Sequence, residues 1–307
     1  MIVELPDTST TAISKELIKI RDAGGAFTSG RVLTLLVCSD EGEPTEGAID
    51  AANEASREHP CRVIVVSCGD RRMRSRLDAQ IRVGGDAGAS EVVVLHLYGE
   101  LANHGESVVI PFMLPDTPVV TWWPGRPPEN PAADPMGQLG RRRITDTNKA
   151  PDVPVALAER LRTYSPGDSD IAWSQITPWR ALLTSALDQP PHSAAVSAEV
   201  EGPAGSPAVD LLAGWLHAVL QVPVTRSVGS FKVTLEREAG PLVLCVGMSN
   251  QAIISIPGKP DGKVALPGRD IRDCLAEELR RLDPDEIYHL ALQGVEGLTR
   301  AKDKVHA

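Results

Sequence analysis

Two adjacent tryptophans end the segment Leu114-Pro-Asp-Thr-Pro-Val-Val-Thr-Trp-Trp-Pro-Gly125. An indole offers a broad apolar face and one N–H donor, which suits a ligand ring or the centre of a protein interface. A basic tripeptide, Arg141 to Arg143, follows and leads into Ile144-Thr-Asp146. Guanidinium forks recognise phosphates and carboxylates. The stretch Asp170-Ile-Ala-Trp-Ser-Gln-Ile-Thr-Pro-Trp-Arg180 again combines tryptophan with arginine; Trp179 reads as a core anchor and Arg180 as facing a cleft. The candidate contacts for a ligand or partner are therefore Trp122, Trp123, Arg143, Asp146, Trp173 and Arg180. Each also has a plain structural reading, with the tryptophans filling core and rim. Arg71, Arg72, Arg74 and Arg76 fit either a solvated turn beside an edge strand or a contact for phosphate or an acidic partner. Cys61, near His59, is the candidate redox thiol, against a buried, inert cysteine.

Recognisable catalytic chemistry is missing from the sequence. The glycine-rich loop 84–90 lacks a Gly-Lys-Ser/Thr ending and leads into a strand, so it reads as a hairpin rather than a phosphate loop. No G-x-G-x-x-G follows a strand, so no dinucleotide cofactor is expected. There is no G-x-S-x-G elbow and no H-E-x-x-H. The cysteines form no C-x-x-C and the histidines are scattered, so no metal site is expected. Carboxylate pairs such as Glu277 and Glu278 lie on a helix and read as a solvated face.

The elements that must carry these residues follow from hydrophobic period. Residues 10–23 read as an amphipathic helix, with N-caps among Thr8, Ser9 and Thr10 and a stop at Gly24-Gly25. Strand 32–37, Ala-rich helix 46–58 and aliphatic strand 63–66 form a βαβ unit with a strand covered on both faces. Residues 77–83 alternate strictly, which means one wet face, and 92–95 is the antiparallel partner. Gly105 and Pro111 interrupt a helical pattern, 119–123 is a strand, and 124–135 holds five prolines and is irregular. Helices follow at 153–164 and from a Thr177 cap with Pro178 at the first helical position. Beyond 193 come a strand, a helix opened by Ser206-Pro207, three short strands (231–235, 242–246 and 252–256) and a helix over 269–282. The fold class is α/β: an N-terminal mixed sheet with helices on both faces over residues 1–165, then a C-terminal α+β domain with an antiparallel meander over 166–307.

Composition sets outer bounds. A chain of 307 residues at about 150 per domain suggests two domains. Thirty-one basic and 41 acidic residues leave a net charge of -10, which excludes a general nucleic-acid binder. No apolar run is long enough for a membrane span, and no secretory signal opens the chain. Five sparse cysteines, an odd count, point to a reducing cytoplasmic compartment without a disulfide framework.

Five segments together resemble the OpcA family, the glucose-6-phosphate dehydrogenase assembly proteins. They are Ala55-Ser-Arg-Glu-His-Pro-Cys-Arg-Val63, Pro115 to Gly125, Arg142-Arg-Ile-Thr-Asp146, Asp170 to Arg180, and Leu211-Leu-Ala-Gly-Trp-Leu216. The resemblance runs nearly end to end. It implies a two-part, non-enzymatic, cofactor-free protein whose partner is glucose-6-phosphate dehydrogenase of the oxidative pentose phosphate pathway, promoted by this chain as an allosteric activator of its active oligomer. The alternative from the residues alone is a sugar-phosphate-binding enzyme or an enzyme-derived sensor, which needs Arg143, Asp146, Trp122 and Trp123 in one cleft. Exposed tryptophans on a flat patch would favour the assembly role.

Overall fold

Strands and helices of the first unit follow the hydrophobic periods closely. The computed structural model describes residues 1–24, 30–40, 42, 45–84, 91–247 and 251–301. The glycine-rich hairpin loop lies almost wholly outside them. A short strand, β1 (Ile2–Leu5), precedes α1 (Thr10–Gly24), which buries Ile13 and Leu17. The Ser9 hydroxyl accepts the Ala12 N–H at 3.3 Å and caps α1. Strand β2 (Leu33–Asp40), helix α2 (Thr45–Glu58) and strand β3 (Cys61–Cys68) form the βαβ unit, with β2 and β3 parallel and seven residues of each strand buried. Strand β4 (Arg76–Val83) buries Leu77, Ala79 and Ile81 and pairs antiparallel with β5 (Glu91–Tyr98), its polar residues facing outward as the alternation requires.

The interrupted stretch after β5 resolves into single helical turns around α3 (Gly105–Val109). Then come β6 (Val119–Trp122), α4 (Pro135–Leu139), β7 (Arg142–Thr145) and β8 (Asp168–Asp170). The eight strands lie in the order β1-β4-β5-β3-β2-β6-β7-β8. One face of this sheet packs Leu36, Ile64, Val66, Val93 and Leu95 against α1 and α3. Strand alternation turns Leu35, Val37, Val63 and Val65 to the other face, where α2 packs.

A helix from far along the chain, Ile271–Arg280, also belongs to this unit and packs on α2. Arg280 Nη2 meets Glu58 Oε2 at 2.8 Å. Glu278, expected on a solvated face, is instead buried at 3% exposure.

The second unit comprises Ala150–Pro166, Asp170–Asp270 and the residues from Asp285 onward. Helix α5 (Val153–Arg162) is capped by Asp152, and α6 (Ile171–Gln175) by Asp170. Helix α7 (Thr177–Leu187) starts at Thr177 with Ile176 in the cap position and no side-chain cap, so the expected Thr177 cap does not form. Strand β9 (Ala195–Gly202), helix α8 (Pro207–Leu220) and strand β10 (Val224–Val228) make a parallel crossover beside the meander. The meander itself is β11 (Lys232–Arg237), β12 (Leu242–Val246), β13 (Gln251–Ser255) and β14 (Gly262–Ala265). With α9 assigned to Ile271–Arg280, the chain closes with α10 (Glu286–Glu296) and β15 (Thr299–Arg300).

The seven strands order as β14-β13-β12-β11-β9-β10-β15. Val200, Val233, Leu235 and Leu244 face a core shared with α8 and α10. These two helices cross backbone to backbone at a pair of glycines. A Cβ on Gly294 would stand 1.9 Å from the Gly214 carbonyl oxygen, and one on Gly214 would stand 2.3 Å from that of Ala291.

Candidate functional site

Strand order creates a concave place in the first unit. Strand β2 hydrogen-bonds in parallel to β3 on one side and to β6 on the other. The chain leaves β2 through α2 over one face and reaches β6 through α3 over the other. Connections that diverge from one strand leave a crevice beyond the carboxyl ends of the sheet. A cleft of about 390 Å³ lies there. Its floor is formed by Cys38, Ser39 and Asp40 from β2, Val66 and Cys68 from β3, and Trp123 just past β6. Glu106 of α3, Asp134 before α4, Arg71 and Arg126 also line it.

The proline-rich segment is ordered by local caps. Asp134 accepts the Met136 N–H at 2.9 Å and the Gly137 N–H at 3.3 Å, with Pro135 at the first helical turn. A Cβ on Gly137 would fall 1.7 Å from the Pro131 carbonyl oxygen and 3.1 Å from the Trp123 ring, so only glycine lets the loop close over that indole. Burial pushes the Cys38 thiol well up, aided by Asp134 and Cys68. Burial, then Asp40, raises Cys68 as well. Both thiols are therefore held neutral and are poor nucleophiles.

Of the six candidate contacts, only Trp123 lines this cleft. Trp122 is wholly enclosed, and its Nε1 finds no hydrogen-bond partner. Arginines 142 and 143 are neighbours on β7, so their side chains leave opposite faces of the sheet. Arg142 reaches Glu278 through Nε at 2.9 Å and donates Nη1 to the Asp283 carbonyl at 2.9 Å. Arg143 binds Asp168 through Nε and the Gly140 carbonyl through Nη1 at 3.2 Å. Asp146 is 3% exposed; its Oδ1 accepts the Asn148 N–H at 3.2 Å and Nδ2 at 2.9 Å. Burial raises its pKa above the ordinary aspartate range, opposed by those two bonds. Cys61 is fully buried at the amino end of β3, opposite the cleft.

The remaining two candidates meet in the second unit. Trp173 is buried and donates Nε1 to Asp285 at 2.8 Å, the residue that caps α10. The Arg180 guanidinium lies 3.6 Å over the Trp173 ring and donates to Thr177 Oγ1 at 2.8 Å. Trp179, read as a core anchor, is half-buried against Phe231 with ring centroids 4.2 Å apart. Of the basic turn, Arg74 and Arg76 pair with Asp7 and Asp78, while Arg71 turns to the cleft.

Sequence reasoning missed Asp40, Cys68, Glu106 and Asp134 as cleft residues. Only the Asp134-Pro135 pair carries a local signal, that of a helix start. Among the described residues no cluster of three His, Cys, Asp or Glu side chains is arranged to hold a metal. None of their helices is long and apolar enough to cross a membrane.

Two family models match the chain in order. The N-terminal domain of a glucose-6-phosphate dehydrogenase subunit, in the OpcA assembly family, matches residues 52–162, and the corresponding C-terminal domain matches residues 166–292. No curated protein sequence matches. Among solved structures, glucose-6-phosphate 1-dehydrogenase from Mycobacterium avium is similar at 9% identity, covering 88% of this chain and 91% of that one, with a TM-score of 0.48. An oxidoreductase from Sinorhizobium meliloti is similar at 8% identity, covering 88% and 97%, with a TM-score of 0.46.

Proposed function

Because the chain belongs to the OpcA family of glucose-6-phosphate dehydrogenase assembly proteins, we propose that it binds that dehydrogenase and shifts it toward its active oligomer without catalysing a reaction itself. The observation that carries this reading is the ordered pair of family matches, 52–162 and 166–292. The family is one of assembly subunits rather than of catalytic chains.

The tryptophans are buried or half-buried and form no exposed flat patch, so the side chains bear on the choice only by counting against the alternative. The competing enzyme reading needs Trp122, Trp123, Arg143 and Asp146 to converge, yet Arg143 is committed to Asp168 and Trp122 to the core. In the assembly reading, the buried Trp122, Trp173 and Arg143 hold the scaffold beneath the docking surface, and the half-buried Arg180 on α7 meets the partner. An activator shifts an oligomer equilibrium by its differential affinity for the two states, and a tenfold preference is worth about 1.4 kcal/mol.

The test is sedimentation and initial-rate measurement of the cognate dehydrogenase with and without this protein. We expect a larger mass and a higher rate. Unchanged mass and rate over a wide concentration range would refute the reading.

A further inference from the structure

We propose that the cleft beyond the carboxyl ends of β2, β3 and β6 binds a small phosphorylated polyol, a ligand that the assembly role does not by itself require. Place comes first. In open α/β sheets ligands lie where the strand order reverses, and β2 is the strand from which it reverses here. A volume of about 390 Å³ accommodates a phosphorylated monosaccharide with water and lies low in the range of small-molecule sites.

The lining then selects the ligand class. Arg71 and Arg126 reach the rim from the turn after β3 and from the proline-rich loop after β6. Both are exposed, and Arg71 makes no ion pair among the described residues. Two guanidiniums suit one phosphate group. Asp40 and Glu106 supply acceptors that suit hydroxyl groups, and the Trp123 ring supplies an apolar wall for the C–H face of a sugar. Ser39, at 9% exposure, keeps a hydroxyl with no hydrogen-bond partner on the same wall. An orphan polar group of this kind has a donor and acceptor to offer an incoming hydroxyl.

Other ligand classes fit worse. The β2–α2 turn carries no glycine-rich phosphate fingerprint, and three carboxylates (Asp40, Glu106 and Asp134) oppose the several phosphates of a dinucleotide. Both thiols of the cleft are held neutral, so neither is presented to a ligand as a thiolate.

The experiment is calorimetric titration of the full chain alone with glucose 6-phosphate, inorganic phosphate, glucose and NADP+. We expect saturable binding of glucose 6-phosphate, with inorganic phosphate and glucose each at least about tenfold weaker, since each keeps only half of the contacts. Arg71→Ala and Arg126→Ala are surface changes; each should weaken binding about tenfold or more while leaving the unliganded melting temperature in place. Equal affinity for inorganic phosphate would reduce the site to an anion site and overturn the polyol assignment. Tighter binding of NADP+ would overturn the ligand class. Absent binding at millimolar glucose 6-phosphate, or full affinity in both arginine variants, would overturn the site. Because no dehydrogenase is present, these results stand apart from success or failure of the assembly reading.

Discussion

Replacing Trp122 by phenylalanine should cost far less than its size suggests. The side chain is 0% exposed and its Nε1 has no hydrogen-bond partner. Truncation to alanine empties most of a large aromatic site, at about 3–5 kcal/mol. Phenylalanine removes only the indole's extra ring portion. Roughly 40 Å³ of cavity at about 24 cal/mol per Å³ is ~1 kcal/mol, and the lost transfer term adds about 1 kcal/mol more. Against this, the orphan N–H disappears, and an unsatisfied buried donor costs about 1–3 kcal/mol. The two contributions nearly cancel, so Trp122→Phe should lie within about 1 kcal/mol of the natural protein. The assay is urea unfolding followed by far-ultraviolet circular dichroism, comparing midpoints at equal m-value for both variants. If Trp122→Phe loses as much stability as Trp122→Ala, the indole N–H is not the liability inferred here and the reasoning fails.

Two further outcomes follow from buried charges. Glu278→Ala strands Arg142 at 2% exposure and should cost about 3–5 kcal/mol, whereas the pair Glu278→Leu with Arg142→Met should recover much of it; a double-mutant cycle by denaturant melts decides, and a single-variant cost under about 1 kcal/mol would contradict the buried pair. Asp146, with its pKa raised by burial, holds its proton to a higher pH when folded than when unfolded; the folded state binds the extra proton between those two values, so stability falls as pH rises through that window. Asp146→Asn keeps an acceptor for Asn148 and should be more stable than the natural chain at pH 7, with a flatter stability profile from about pH 4 upward; parallel profiles would refute the titration.

Local sequence was sufficient for most elements because their causes are local. The unbroken aliphatic run in β3 means burial on both faces, and the strict alternation in β4 means one wet face; each depends only on where successive side chains point. The Ser9 cap of α1 and the proline at the start of α7 likewise act within a turn. The family resemblance was readable for the same reason: short words such as Trp122-Trp-Pro-Gly125 survive as contiguous text.

What only the tertiary structure decided are pairings between distant segments. Nothing in β6 announces that it joins β2 on the side away from β3, yet that choice opens the cleft and brings Asp40, Arg71, Trp123 and Asp134 together. Nothing near Glu278 announces Arg142, 136 residues earlier, so an apparently solvated carboxylate is a buried partner. Amphipathicity shows that α9 buries a face, but not that it buries it on α2. Gly214 and Gly294 look like weak points within their helices until the two backbones meet there. Hydrophobic period records which side of an element is buried; the surface that buries it is selected by shape and charge complementarity over loops whose closure cost grows only slowly with length, and so leaves no local trace.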